Sequence, residues 1–282
     1  MNERLKQVNH QFADPNEAPA EPKAAATVLL VRDIQGEGLE VFLIERAAKT
    51  NFGGAYVFPG GKVDLEDSSG RLSDMCQGVS DEDASSALGI DKGGLAYWVA
   101  VIRECFEEAG ILLAYRKDGN NFDPEDEAEN ERFIDFRKRL NEGEPVLAEM
   151  CKSEELFLAT DRLAYLAHWI TPKVEKRRYD TRFFIAQAPE GQEAIHDGSE
   201  SVNSIWIKPE DALKQFEEGK LLMIMPTIKN LEDICGYNNT KELLEDKNSI
   251  NPYDIATIEP KFFMKDGKYV GLLPGEEGYD DH

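Results

Sequence analysis

At 282 residues, 41% of them hydrophobic, the chain is long enough to bury a sizeable core in one large domain or two small ones. Its formal charge of −23 makes the bulk surface repel nucleic acid and anionic membranes, so a phosphate-bearing ligand needs a local device, either a metal ion or a basic patch. Four scattered cysteines (Cys76, Cys105, Cys151, Cys235) lack paired spacing, which argues for reduced thiols rather than a disulfide frame or zinc site, and no stretch nears the ~20 apolar residues of a membrane span.

Residues 1–22 are polar, rich in Glu, Pro and Ala, and lack the apolar run of a signal peptide. They are expected to form a flexible arm, with 23–282 as a single domain in a cytoplasmic setting. Ala25 to Val31 and Leu39 to Glu45 read as strands joined at Gly36 and Gly38, and Ala55 to Phe58 as a short strand delivering the turn Pro59-Gly60-Gly61. Residues 68–94, rich in Ser, Asp and Gly, are expected to be a surface excursion with a short helix near Asp81 to Ala87. Leu95 to Ala109 has helical periodicity and stops at Gly110. Over 118–160 an acidic loop precedes two helices, Glu131 to Leu140 and Val146 to Lys152, expected as a helical insertion packed on a sheet. Strand signals return at Leu163 to Ile170, Asp180 to Gln187 and Val202 to Ile207. Helices follow at Pro209 to Glu217, with Pro at its first position, and at Pro226 to Cys235. Phe262 to Leu273 reads as a hairpin around Asp266-Gly267.

The Leu95 to Ala109 helix carries the chemistry. Glu104, Glu107 and Glu108 stand at i, i+3 and i+4 on one narrow face, opposite Val99, Ile102, Cys105, Phe106 and Ala109. Carboxylates so spaced repel one another; Arg103 reaches Glu107 at i+4 but cannot neutralise all three. A hard divalent cation suits them, since Mg²⁺ takes carboxylate oxygens and keeps waters and substrate phosphates in its shell. Upstream, Gly60-Gly61 allows a close backbone approach from which a carbonyl joins such a site.

These residues resemble the Nudix hydrolase signature, G-x5-E-x7-R-E-U-x-E-E-x-G-U, with U a bulky apolar residue. Gly61, Arg103, Glu104, Cys105, Glu107, Glu108, Gly110 and Ile111 fill it. Asp67 stands where the signature has its first Glu, and 35 residues separate it from Arg103 where the box has 7. An expanded box with Asp in that place is similar to the subgroup of Nudix type 19, the peroxisomal coenzyme A diphosphatases, and its bacterial relatives. The runs Arg46 to Gly61, His168 to Pro172 and Arg177 to Phe184, with the final Leu273-Pro274-Gly275, resemble the same subgroup, so the likeness covers roughly residues 24–280. The C-terminal Gly-Tyr-Asp-Asp-His is not a peroxisomal tripeptide.

The resemblance implies an α/β/α sandwich around a mixed β-sheet. It also implies Mg²⁺- or Mn²⁺-dependent hydrolysis of a nucleoside diphosphate linked to another moiety, foremost coenzyme A or acyl-coenzyme A. ADP-ribose, dinucleotides or another nucleotide conjugate are the alternative, and a non-catalytic nucleotide sensor is the alternative of another class; complete retention of Arg103-Glu104-x-x-Glu107-Glu108 argues against the sensor. The residues it assigns to catalysis are Arg103, Glu104, Glu107, Glu108 and Glu200, with Arg103 orienting a glutamate and Glu200 a candidate base. Gly60, Glu104, Glu107 and Glu108 are the metal set. Arg46 and Phe52 fall in the loop associated with the substrate's carrier moiety. Apart from the resemblance, Lys173, Lys176, Arg177, Arg178 and Arg182 concentrate positive charge in ten residues of an acidic chain, and Arg177, Arg178 and Arg182 are expected to clamp phosphate. His168 and His196 are open to a base role, but His168, inside a strand, reads as a hydrogen-bonded structural histidine. No nucleic-acid or membrane partner is expected; a homodimer is a possible assembly.

Overall fold

Four successive apolar residues, Val28 to Val31, have no exposed surface because the strand that carries them is covered on both faces. That strand is β1 (Lys23–Ile34) of the computed structural model, which describes residues 11–281 except 15, 51, 199, 266 and 267. It is followed by β2 (Gly38–Arg46), β3 (Tyr56–Val57), β4 (Gly60–Lys62), α1 (Gly70–Ser73), α2 (Asp81–Leu88), α3 (Leu95–Ala109) and β5 (Ala114–Arg116). Then come α4 (Glu127–Asn141), α5 (Leu147–Ser153), β6 (Leu156–Leu158), β7 (Ala164–Ile170), β8 (Tyr179–Gln187) and β9 (Ser201–Ile207). The chain closes with α6 (Pro209–Glu217), α7 (Met225–Asp233), α8 (Thr240–Ser249), β10 (Thr257–Ile258), β11 (Lys261–Lys265) and β12 (Lys268–Leu272).

The main sheet runs β10-β7-β8-β1-β2-β3, with β4 also pairing with β1 and β9 with β2. It is mixed: β1–β8 and β10–β7 are parallel, while β1–β2, β1–β4 and β7–β8 are antiparallel. On one face Val28, Leu30, Phe42 and Ile44 pack with Trp98, Val99, Ile102, Cys105 and Phe106 of α3, and with Phe133, Phe136 and Met150 of α4 and α5. On the other face Leu29, Val31, Val41 and Leu43 meet Ala212 and Phe216 of α6, Leu231 of α7 and Leu243 of α8. This is an α/β/α sandwich around a mixed sheet. Among the described residues no helix is long and apolar enough to cross a membrane.

Two expectations need correction. Residues 68–94 are packed structure, not a surface excursion. Leu72 of α1 and Ala84 and Leu88 of α2 are buried in the same core as α3, and Met75, Val79 and Ile90 lean on it. The expected helix is there, capped by Ser80, whose hydroxyl accepts from the Asp83 amide at 3.1 Å. The described residues among 11–22 are not a free arm. The Ala13 amide donates to the Val174 carbonyl at 2.9 Å, the Lys176 amide to the Gln11 carbonyl at 2.7 Å, and Phe12 bridges Glu175. His10, His282 and the Asp266-Gly267 turn lie outside the described residues.

Leu72→Ala should therefore destabilise the protein by about 2–5 kcal/mol, the usual range for a truncated core leucine. The exposed Glu82→Ala should stay within about 0.5 kcal/mol. Urea unfolding checks both; equal midpoints for the two variants would show the inserted segment detached from the core.

Candidate active site

The apolar side of α3 locks the helix against the sheet, which leaves its carboxylates facing the turn between β3 and β4. Gly61 permits that approach: a Cβ there would lie 2.3 Å from Glu104 Oε1. The Gly60 amide donates to Glu108 Oε2 at 2.7 Å, so the contribution seen from Gly60 is a donor to a carboxylate. Gly110 ends α3 in the left-handed conformation, φ 72°, as its place after Ala109 requires.

Arg103 lies at the centre of the cluster. Its Nε and Nη2 grip both oxygens of Asp67 at 2.9 Å each, its Nη1 donates to Glu104 Oε1 at 2.9 Å and Glu107 Oε1 at 3.1 Å, and its Nη2 also reaches the Lys62 carbonyl at 2.8 Å. Asp67 is buried and accepts from the Asp64 amide at 2.7 Å. Burial disfavours the Arg103 charge, but the bond to Asp67 and the charges of Glu104, Asp67 and Glu107 hold its pKa above the ordinary value.

The glutamates outnumber their counter-charges. Burial pushes the Glu108 carboxyl well above its usual range; Glu104 and Glu200 add to the shift, while Arg46 and the Gly60 amide oppose it. Burial likewise lifts Glu104 to about 7, with Arg103 opposing and Glu107 and Asp67 adding to the shift. Glu107 is raised by burial against the pull of Arg103. Among the described residues no group of three His, Cys, Asp or Glu side chains is already gathered as a metal cluster. The donor set still fits a hard divalent cation: it consists of carboxylate oxygens short of positive charge, and Mg²⁺ completes its shell with waters and phosphate rather than with protein alone.

A cavity of about 1200 Å³ opens beside this cluster. Glu104, Glu107 and Glu108 line it together with Arg46, Phe52, Glu200 and Arg177. Glu200 is exposed and stands 4.0 Å from Arg46, with its amide held by Asp197 at 3.0 Å. Phe52 takes a positive φ of 58°, a conformation that few bulky residues adopt outside a constrained site.

Arg178 and Arg182 are not among the lining residues, which corrects the expected three-arginine clamp. The buried Arg178 donates to the Thr171 carbonyl, the Ala20 carbonyl and Glu259 Oε1 at 3.0, 2.8 and 2.7 Å. Arg182, also buried, donates to the Tyr165 hydroxyl at 3.0 Å and pairs with Asp180 at 3.4 Å. His168 is structural, held between Asp180 at 2.6 Å and the Thr257 hydroxyl at 2.8 Å, and His196 pairs with the Ser204 hydroxyl at 3.0 Å. Sequence reasoning missed the far walls of the cavity: Asn141 at the end of α4 with Gly143, Glu144 and Pro145 after it, Ile224 to Thr227 at the start of α7, and Phe262 on β11. No motif marks them; only the fold brings them to the glutamates.

Comparison with known proteins agrees with this geometry. The family model of the NUDT19 Nudix domain matches residues 79–234, more than half of the chain. The chain belongs to the Nudix hydrolase family. It is 26% identical over 273 residues to the acyl-coenzyme A diphosphatase NUDT19 of Xenopus laevis, covering 86% of this chain and 72% of that protein. The human protein of the same name is 22% identical over 278 residues, covering 86% and 73%. A crystal structure of a Nudix hydrolase from Alicyclobacillus acidocaldarius shares the fold, with a TM-score of 0.65 at 24% identity over 80% of this chain and 96% of that one. As a Nudix hydrolase the protein acts on a diphosphate bond. Its Nudix box is complete in space although divided in sequence, because Asp67 and Arg103 meet across the insertion.

The raised carboxyls set a pH dependence. A carboxyl whose folded pKa, about 7 for Glu104, exceeds its ordinary 4.5 favours the folded state below 4.5, and that contribution is lost as pH rises through 7. In buffer with chelator, the unfolding free energy of the protein should fall across this window relative to Glu104→Gln, by on the order of 1 kcal/mol per pH unit. Urea unfolding at each pH checks it, and parallel curves for the two proteins would refute it.

Proposed function

We propose that this Nudix hydrolase cleaves the diphosphate bridge of coenzyme A or an acyl-coenzyme A, giving adenosine 3′,5′-bisphosphate and a phosphopantetheine product, with Mg²⁺ or Mn²⁺ as cofactor. The observation that carries the reading is a cluster of buried glutamates short of counter-charge, set in the wall of a cavity of about 1200 Å³, ample for a nucleotide conjugate. The names of the vertebrate relatives, acyl-coenzyme A diphosphatases, support the choice of substrate.

Glu104, Glu107 and Glu108 would hold the cation, with the Gly60 backbone beside them. When bound, the ion supplies neutralisation of phosphate charge and a lowered pKa for water. Arg103 positions Glu104 and Glu107 through its Nη1. Arg46, close enough to Glu108 to oppose its pKa shift, offers positive charge to the bridge. Glu200 accepts the proton of the attacking water as the water oxygen bonds to one phosphorus; the bond from that phosphorus to the bridging oxygen breaks, and the second phosphate leaves with the electron pair. Phe52 presents an apolar surface to the carrier moiety.

Glu108→Gln should lower kcat by roughly two to three orders of magnitude, the scale of losing one charge in a preorganised site, with little loss of stability. Chelator should abolish turnover and added Mg²⁺ restore it. Hydrolysis of coenzyme A, acyl-coenzyme A, ADP-ribose and NADH, with products identified by mass, tests the substrate. Preference for ADP-ribose or NADH would overturn the coenzyme A reading, and near-normal turnover by Glu108→Gln at saturating Mg²⁺ would remove that residue from the site.

A further inference from the structure

We infer that Arg177 is a specificity-determining residue that reads a phosphate monoester carried by the substrate outside its diphosphate bridge, an inference that rests on the diphosphatase reaction proposed above. The backbone register defines the surface on which such a group would lie. Lys62 of β4 pairs with Ala25 of β1, Ala25 with Thr181 of β8, and Lys23 with Tyr179, so these residues share one face of the sheet. Ala25, Thr27, Tyr179 and Thr181 line the cavity, and the small side chains of Ala25, Thr27 and Thr181 make this stretch of its wall a trough between β4 and β8. The glutamates close one margin of that trough through Gly60 and Gly61, and the loop 171–178 leading into β8 closes the other. β4 and β8 lie two strand spacings apart, roughly 10 Å, and Arg177 stands four residues before Thr181, roughly 13 Å along the strand, so the two margins are about 16 Å apart, a span that a nucleoside and an extended arginine side chain cover together.

That loop is built as a rigid mount. The Thr171 amide donates to the Tyr179 carbonyl at 2.9 Å and the Tyr179 amide to the Thr171 hydroxyl at 3.0 Å, which ties its two ends together. Arg178 is spent on three inward bonds, and the segment at 11–13 straps Val174 and Lys176 from outside. Arg177 differs from its neighbour: it is exposed, lines the cavity, and makes no hydrogen bond or ion pair to a described residue. A fork-shaped cation left unpaired on a preordered loop, in a chain of charge −23, matches the geometry of a phosphate and loses little freedom on binding it. The diphosphate is addressed at the glutamate margin, where Arg46 also stands, so the group that Arg177 meets is a separate anion.

The probes are coenzyme A and dephospho-coenzyme A, which differ only in the 3′-phosphate, together with adenosine 3′,5′-bisphosphate and AMP in calorimetric titration. The ratio of kcat/KM for coenzyme A over dephospho-coenzyme A should fall about tenfold in Arg177→Ala, the worth of one charge-assisted contact, and recover in part in Arg177→Lys. The affinity ratio for the two nucleotides should fall in parallel. Arg178→Ala should lower Tm without changing either ratio. Equal losses on both members of each pair would overturn the assignment of Arg177. Absence of coenzyme A hydrolysis by the unaltered protein would instead overturn the reaction beneath it, and the nucleotide titration would then decide Arg177 alone.

Discussion

One guanidinium holds the site together. Arg103 binds the start of the divided Nudix box through Asp67 and the Lys62 carbonyl, and the end of the box through Glu104 and Glu107. Every donor direction of the fork is used, so the spacing between turn and helix is set by rigid, charge-assisted bonds. Such a buried arrangement contributes little net stability, because the charges lose their hydration, but removing one partner is expensive. Its value is positional: Lys at this place would supply charge without the fork that addresses four acceptors at once.

The rest of α3 explains how the protein tolerates the charge surplus. Val99, Ile102, Cys105 and Ala109 are wholly buried, so the helix is anchored by its apolar side whatever the carboxylates prefer. Core packing thus holds Glu104 and Glu108 in a setting that raises their pKa values. The geometry of a charge-deficient pocket is prepared before any cation or phosphate arrives.

Much of this was legible in the sequence. The helix Leu95–Ala109 is legible with its bounds, because a 3.6-residue period and a glycine stop coincide there. The central strands were visible as apolar runs. The inserted segment reads as surface because its core contacts come from few residues, Leu72, Ala84 and Leu88 among them, set in many polar ones. α8 carries one start signal on an otherwise polar stretch, Asn239 as its cap with Glu242 three residues on, and too little apolar periodicity to stand out. The arginines show a deeper limit. Arg177 and Arg178 are neighbours of one chemical type, and what separates them is Ala20 and Glu259, partners remote in sequence that only Arg178 meets.

The division of the box also bears on the order in which the molecule takes shape. In an undivided Nudix box the loop and helix are close in sequence; here Asp67 finds Arg103 across 36 positions, after α1 and α2 have turned back on α3. The trough needs a still longer closure, the parallel pairing of Ala25 with Thr181. Contacts of such separation raise contact order and form late, because loop-closure entropy is met before they contribute. During synthesis the glutamate-bearing helix therefore emerges well before β8, and the cluster waits for more than half of the chain to become an active site. Until then its carboxylates remain in water, where they are ionised and harmless.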